Sequence, residues 1–333
     1  METKYQEILR QDLAETKWPW TPQTVYFGGG TPSQISSEDL RALLRLIPGR
    51  PWAEATLEAA PGSFTHDQVQ AWSEAGINRV SLGVQSFVET ELRRTGRKHT
   101  AATVAADVQM LREQGIDDVN IDLIAGLAGQ TRASWEESLD WIERLAPPHA
   151  SVYMLEVDED SRLGLEILQG GQKYGARDIP NDDEIAGMYE TAVRRLSAMG
   201  IERYEISNFS RSGRESRHNL KYWRLEEYLG FGADAHSFAG GMRWQNPESA
   251  MAYVQNGPGK VEAVAADPAS ERFFVGLRLA EGITPREDEW QRWQTPIARF
   301  IDDGLVIRDG ARLRLTDCGV LLSNDIFQEF LSA

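Results

Sequence analysis

The chain has 333 residues, 41% of them apolar, with 29 glycines and 35 basic against 51 acidic side chains, a net charge of −16. That makeup suits one large core or two smaller domains, and its negative field repels nucleic-acid phosphate and anionic lipid surfaces, which argues against duplex binding. A single cysteine, Cys318, excludes an intramolecular disulfide and any three- or four-thiolate metal or iron–sulfur site built from these residues.

The start, METKYQEILRQDLAE, reads as a charged amphipathic helix with Tyr5, Ile8, Leu9 and Leu13 along one stripe. It lacks the apolar block of a signal peptide, and no window approaches the roughly 18 uninterrupted apolar residues of a membrane span, so a cytoplasmic location is expected. Short apolar runs then alternate with helical stretches: TVYFGGG from Thr24, TLEAAPG from Thr56, RVSLGVQSF from Arg79, VNIDLIAGL from Val119 and SVYMLEV from Ser151. Their spacing of roughly 25 to 40 residues predicts successive βα units around a parallel sheet. Thr65 with Gln68 forms a capping box, Thr131 opens a helix with Trp135, Leu139 and Ile142 on one face, and a later helix carries Ile185, Met188, Tyr189 and Leu196. RYEISNF, after Gly200, extends the series as a further strand to about residue 208. Because a parallel crossover needs a strand at each end and the series opens on a helix, a strand ahead of Met1 is expected to be missing. The last segment reads helix, helix, hairpin, helix, with Asp309-Gly310 as the hairpin turn, which predicts a small winged-helix-like domain. The stretch Asn256 to Ser270 is the best boundary, dividing the chain into 1–255 and 256–333.

Several polar residues interrupt these apolar runs. Gly28-Gly29-Gly30-Thr31 follows the first strand directly, so its backbone can approach a carboxylate, phosphate or amino-acid ligand; a plain tight turn is the alternative. Glu58, Gln85 and Asp122 stand in or just after otherwise buried strands, where a parallel barrel gathers its catalytic loops, and three such intrusions favour a shared site. For Glu58 the alternatives are a cap on the next helix or a pair with Arg79. Arg97, ahead of a helix that Thr100 would cap, can pair with a ligand carboxylate, with Glu58 or with Asp122, or stand as an ordinary loop arginine. His66 and His149 are read as structural. Ser216 to Phe238 holds His218 and His236 among Tyr222, Trp223 and Tyr228, a composition that suits a flat ligand or an iron atom, or else aromatic packing around an ordinary hydrogen-bonded histidine.

In order, YFGGGTPS, LEAAPGS, RVSLGVQSF, GRKHT, NIDLIAGLAGQT, YEISNFSR, RHNLKYW and YLGFGADAHSF resemble the haem chaperone (HemW-type) branch of the radical S-adenosylmethionine proteins, which is related to oxygen-independent coproporphyrinogen III oxidase. The resemblance implies an α/β fold: a partial (β/α)6 barrel, here without its first strand, plus a C-terminal accessory domain. It implies that Gly29, Gly30 and Thr31 take the methionine amino end of S-adenosylmethionine and that Glu58, Gln85, Arg97 and Asp122 line the rest of that ligand; His236, after a glycine-rich turn, is placed with them, the alternative being that it ligates haem in place of His218. HNLKYW resembles the family's haem signature, which implies His218, Tyr222 and Trp223 as haem residues with His218 on the iron. The implied partners are haem, an unknown haem-acceptor protein and peripheral contact with membrane-bound acceptors. The family's C-x-x-x-C-x-x-C, which binds a [4Fe–4S] cluster, is absent, so that on the order of 40 residues are expected to be cut off or lost in the lineage. Radical chemistry is accordingly not expected of the chain as written. Ala60 and Ala128 are small departures in turns. The rival reading is that an intact form is the oxidase itself, decarboxylating propionates.

Overall fold

The computed structural model describes residues 1–156, 165–166, 173–259 and 261–331; Val157, at the end of the fifth predicted strand run, and Lys260, in the predicted boundary, lie outside the described residues. In chain order its elements begin with α1 (Glu2–Glu15), β1 (Thr24–Phe27), α2 (Ser37–Leu46), β2 (Glu54–Ala59), α3 (His66–Ala75), β3 (Arg79–Gln85), α4 (Glu89–Arg94), α5 (Ala101–Glu113), β4 (Asp118–Ala125), α6 (Arg132–Leu145) and β5 (His149–Met154). They continue with α7 (Asp182–Ala198), β6 (Glu202–Arg203), β7 (Asn208–Ser210), α8 (Arg217–Trp223), β8 (His236–Ala239), β9 (Met242–Gln245), α9 (Ala250–Asn256) and β10 (Val261–Ala265). The C-terminal part holds α10 (Pro268–Gly276), α11 (Glu287–Arg292), α12 (Gln294–Asp302), β11 (Val306–Asp309), β12 (Arg312–Leu315), α13 (Asp317–Leu321) and α14 (Ser323–Leu331). Contacts divide the chain into one unit of Val25–Ile35 with Glu54–Glu215 and another of Met1–Thr24, Ser36–Ala53 and Ser216–Ala333.

The first unit is built on the five predicted runs. Its sheet has the order β1-β2-β3-β4-β5-β7-β6, with β2 to β5 mutually parallel and β1 at one edge of the described strands. Strands alternate their side chains between two faces. Leu57, Val80, Leu82, Val119, Ile121, Leu123 and Val152 are fully buried. The predicted helices form where their caps stand. Thr65 and Gln68 satisfy each other's backbone at the start of α3, Thr100 pairs with Thr103 at α5, and Thr131 with Ser134 at α6. Trp135, Leu139 and Ile142 bury one face of α6, and Trp135 Nε1 donates to Met188 O at 2.7 Å, fastening α6 to α7.

RYEISNF departs from the expected single strand. It splits into β6 and β7, which pair antiparallel with each other, and β7 runs antiparallel to β5 rather than continuing the parallel series. The cause is local: the Glu205 carboxylate accepts from Ser207 N at 2.9 Å and Asn208 Nδ2 at 2.5 Å, folding the middle of the segment into a turn.

In the second unit the stripe of α1 is covered by its own neighbours. Tyr5 meets Tyr253 of α9 with ring centroids 5.3 Å apart, the Tyr5 hydroxyl accepts from Ala233 N, Tyr253 donates to Asp12 at 3.0 Å, and Arg10 pairs with Asp39 of α2. β8, β9 and β10 form a three-stranded sheet. The C-terminal helices enclose Phe273, Trp293, Phe300 and Phe330, with Phe273 and Phe330 stacked at 4.7 Å, and β11 and β12 form the expected hairpin. Its turn lies one residue later than Asp309-Gly310. Asp309 pairs with Arg312, and Gly310, at φ +61°, is the first of the two loop residues, the position that demands a positive φ.

Replacing Thr65 by Ala removes one half of the α3 capping box and is expected to cost about 1 kcal/mol in denaturant unfolding, whereas Thr65→Ser retains most of the stability.

Candidate functional site

At the end of β1 the chain turns through three exposed glycines. Gly29 and Gly30 adopt φ of +76° and +61°, and a Cβ on Gly28 would stand 2.6 Å from the Tyr26 ring and 2.9 Å from Glu58 Oε1. Glycine is therefore required at Gly28 by space and at the next two by backbone. Glu58, near the end of β2, clasps this turn: Oε1 accepts the Tyr26 hydroxyl at 2.6 Å and Oε2 accepts Gly29 N–H at 3.1 Å. Neither bland role for Glu58 is filled by it, since Thr65 caps α3 and Arg79 pairs with Asp118 at 2.7 Å. Burial and the adjacent Glu58 carboxylate hold the Tyr26 hydroxyl protonated, well above its usual range.

One layer further along the sheet lies Asp122. The register puts Glu58 level with Ser81, Ser81 with Asn120 and Asn120 with His149, while Asp122 is level with Ser151. Period two keeps Asn120 and Asp122 on one face. The two N–H groups of the Asn120 amide are shared among Ser81 Oγ at 2.8 Å, Asp122 Oδ1 at 2.7 Å and Ser151 Oγ at 2.9 Å, and its carbonyl meets His149 Nδ1 at 2.6 Å. His149, read from the sequence as structural, is fully buried and held neutral by that burial; its Nε2 meets the Tyr204 hydroxyl at 2.9 Å. The Asp122 carboxyl is pushed up to about 6, because loss of water outweighs the hydrogen bonds from Ser151, Asn120 and Ser81, and Glu58 adds repulsion.

β3 ends in a bulge at which Gln85 takes φ +71°, a conformation costly for a side-chain-bearing residue. Arg97 reaches back to this bulge, Nη1 donating to Gly83 O at 2.8 Å, and a Cβ on Gly83 would stand 3.3 Å from Gln85 Nε2. Half-burial draws the Arg97 guanidinium below its usual range against the pull of Asp122. His99 Nε2 meets Val84 O at 3.1 Å, and burial lowers the ring's affinity for a proton. Arg97 and His99 also line a cavity of about 270 Å³ ahead of α5. Gly29, Glu58, Asp122, Gln85 and Arg97 thus sit on successive loops and strand ends of one unit, with Thr31 exposed just beyond the glycines. Sequence reasoning passed over Tyr26, Asn120 and Asp107. The first two were findable as polar residues two positions before Gly28 and Asp122 on their strands. Asp107 was hidden on a helix; it accepts Gly62 N–H at 2.7 Å, holds the turn after β2, and is pushed up to about 6 by burial.

His236 belongs to the other unit. It is exposed at the start of β8. That unit also holds α8, capped by Ser216, on which His218 and Tyr222 lie four apart with His218 Nε2 2.8 Å from the Tyr222 hydroxyl. The other ring nitrogen, Nδ1, lies 2.9 Å from Thr24 Oγ1. Tyr222 stands edge-on to Tyr228 at 4.6 Å, and burial pushes its hydroxyl up to about 12. Trp223 lies under the Arg278 guanidinium, 4.6 Å from the ring centre.

The parallel α/β sheet, its glycine turn after β1 and the polar groups at its strand ends are those of a radical S-adenosylmethionine type fold. The Radical SAM superfamily matches residues 4–142 and the HemN C-terminal domain matches residues 265–322. The solved structure of coproporphyrinogen III oxidase (HemN) from Escherichia coli, described as a radical SAM enzyme, shares this fold at TM-score 0.81 and 21% identity, over 99% of this chain and 83% of that one. Heme chaperone HemW of Bacillus subtilis is 33% identical over 98% of this chain and 91% of its own length, and that of Lactococcus lactis 32% identical over 93% and 84%. The chain belongs to the HemW haem chaperone family.

Because folding holds a proton on Asp122 up to about pH 6 that the unfolded chain releases near 4, stability attributable to this group is present below pH 4 and is lost as pH rises through 6. Asp122→Asn is therefore expected to flatten the decline between pH 4 and 7 by on the order of 1–3 kcal/mol. Denaturant unfolding at the two pH values measures it; an undiminished slope would place the carboxyl in water.

Proposed function

We propose that this chain is a haem-binding chaperone that passes haem to an acceptor protein, built on a radical S-adenosylmethionine scaffold. The observation that carries the reading is the His218–Tyr222 pair on α8, an imidazole held by hydroxyls at both nitrogens, in a chain similar along nearly its whole length to proteins named for haem delivery. Imidazole is an axial ligand for haem iron, which would replace one of these two hydroxyls at a deprotonated ring nitrogen, and Tyr222, Tyr228 and Trp223 supply aromatic surface for the macrocycle. His218 is the proposed ligand, and exposed His236 is the alternative to it. A cytoplasmic location belongs to the same reading. So does peripheral contact with a membrane-bound acceptor, which would run through that acceptor, since among the described residues no helix is long and apolar enough to cross a membrane. We assign the radical-SAM-like partial barrel with its haem-motif extension to 1–255 and the accessory domain to 256–333; the separate matches at 4–142 and 265–322 support this division, whereas contacts group Ser216–Ala333, with α8, apart from the sheet unit.

The residues around Glu58 fit S-adenosylmethionine: an exposed glycine turn with open space beside Gly29 and Gly30, and a largely buried carboxylate at Asp122. Gly29, Gly30 and Thr31 would take the amino-acid end, and Glu58, Gln85, Arg97 and Asp122 the remainder. When bound, the ligand would supply a sulfonium and an adenosyl group. A [4Fe–4S] cluster does not fit the residues present. Cys318 is the one cysteine in the sequence and is exposed, and among the described residues no group of three or more His, Cys, Asp or Glu could hold a metal ion. The rival oxidase reading draws on the HemN likeness, which at 21% identity carries the fold alone; product analysis on coproporphyrinogen III separates the two.

Titration of haem into the purified chain is expected to give a Soret shift that His218→Ala weakens at least tenfold at matched folded fraction, with His236→Ala close to wild type. Absence of haem binding by the wild type would remove the reading. Calorimetry with S-adenosylmethionine is expected to show measurable binding that Glu58→Ala and Asp122→Ala each weaken by about 1.5–3 kcal/mol, as for loss of a charged hydrogen bond.

A further inference from the structure

We propose that α8 grips the carboxylate-bearing edge of haem through Arg217, Lys221 and Arg224, which line one cavity beside the residue that holds His218. The inference rests on the haem reading above and adds to it how the propionates are recognised.

Arg217, Lys221 and Arg224 are spaced four and three apart, the spacing that puts side chains on one face of a helix. All three line a cavity of about 280 Å³ together with Thr24, Leu220 and Glu226. Three cations and one carboxylate therefore meet in one concavity of a chain whose net charge is −16. That local reversal of sign marks a place for an anion.

The cavity is joined to the imidazole. Thr24, which lines it, meets His218 Nδ1 at 2.9 Å, so the cationic hollow begins where the ring nitrogen facing away from Tyr222 ends. His218 follows Arg217 and Tyr222 follows Lys221, so the aromatic flank of α8 lies about 100° around the helix from the cationic face. A flat macrocycle laid against His218 and Tyr222 brings one edge over the neighbouring face. Haem carries both propionates on a single edge, and both are ionised at neutral pH, so two negative charges arrive together on three positive ones. Leu220, in the same cavity, adds apolar surface on the side of the cations away from His218.

The present partners of the cations are replaceable. Lys221 Nζ pairs with Glu226 at 2.6 Å and Arg224 with Glu281 at 3.2 Å, the latter with about half of each side chain in water. An exposed ion pair such as Arg224–Glu281 contributes little. A propionate can therefore displace a glutamate with small loss, and the planar guanidinium of Arg224 or Arg217 can take a carboxylate in a two-pronged pair.

The test uses the full chain with two probes: haem, and haem dimethyl ester, in which both propionates are blocked while iron and macrocycle are unchanged. Wild type is expected to bind haem at least tenfold more tightly than the diester, with the preference shrinking as salt is raised. The triple variant Arg217→Gln, Lys221→Gln, Arg224→Gln is expected to lose that preference by weakening haem while leaving the diester unchanged. Equal affinity of wild type for the two probes, or a preference that survives in the folded triple variant, overturns the propionate grip and leaves the haem reading intact. Wild type binding neither probe brings down both. The comparison of probes on wild type needs no variant to fold.

Discussion

Asn120 is the side chain on which the first unit's interior depends. One face of its parallel sheet is closed by apolar side chains, but the other carries Ser81, Asn120, Asp122, His149 and Ser151, and polar groups removed from water must be bonded. The Asn120 amide alone engages strands β3, β4 and β5, and through Ser151 and Asn208 the chain of bonds continues to β7. Partly satisfied, such a network would be worse than an apolar core; satisfied as it is, it specifies a single register. A slip of one residue would turn every one of these side chains to the wrong face.

That network also sets the chemistry at the strand ends. Its uppermost member, Asp122, receives hydrogen bonds and its carboxyl is still pushed up to about 6, because burial strips water from it and Glu58 repels its charge. Glu58 is committed to bracing the glycine turn through Tyr26 and Gly29, and Arg97 to bracing the bulge at Gly83. The candidate adenosyl site is therefore held by its own residues before any ligand arrives, the condition under which binding energy is not spent on ordering loops.

The second unit follows a different logic. α8 has no fully buried residue, and its hold on the fold comes from polar and aromatic edges: Ser216 at its start, Thr24 and Tyr222 on the imidazole, Arg278 over Trp223. Such a helix can exchange contacts with a ligand at low cost, whereas α6, anchored by Trp135, cannot. Placing the proposed haem-binding residues on the less buried element suits a protein that must both take up and release what it carries.

Local patterns of the chain sufficed for the strands β1 to β5, the capping boxes at Thr65 and Thr131 and the C-terminal hairpin, because alternation, caps and glycine turns are properties of a few adjacent residues. They also sufficed to single out Glu58, Gln85, Asp122 and His218, since a polar residue in an apolar run, or an imidazole among aromatics, is visible without a partner. What those residues touch was settled by tertiary structure alone. The bond from Glu58 to Gly29, the reach of Arg97 to Gly83, the reversal of β7, the hold of Asp107 on Gly62 and the bond between Thr24 and His218, 194 positions apart, all join residues distant in sequence or turn on how strands pair. Hydrogen bonds and desolvation act through space, so a sequence can name the groups that must be satisfied, while only the folded chain decides which groups satisfy them.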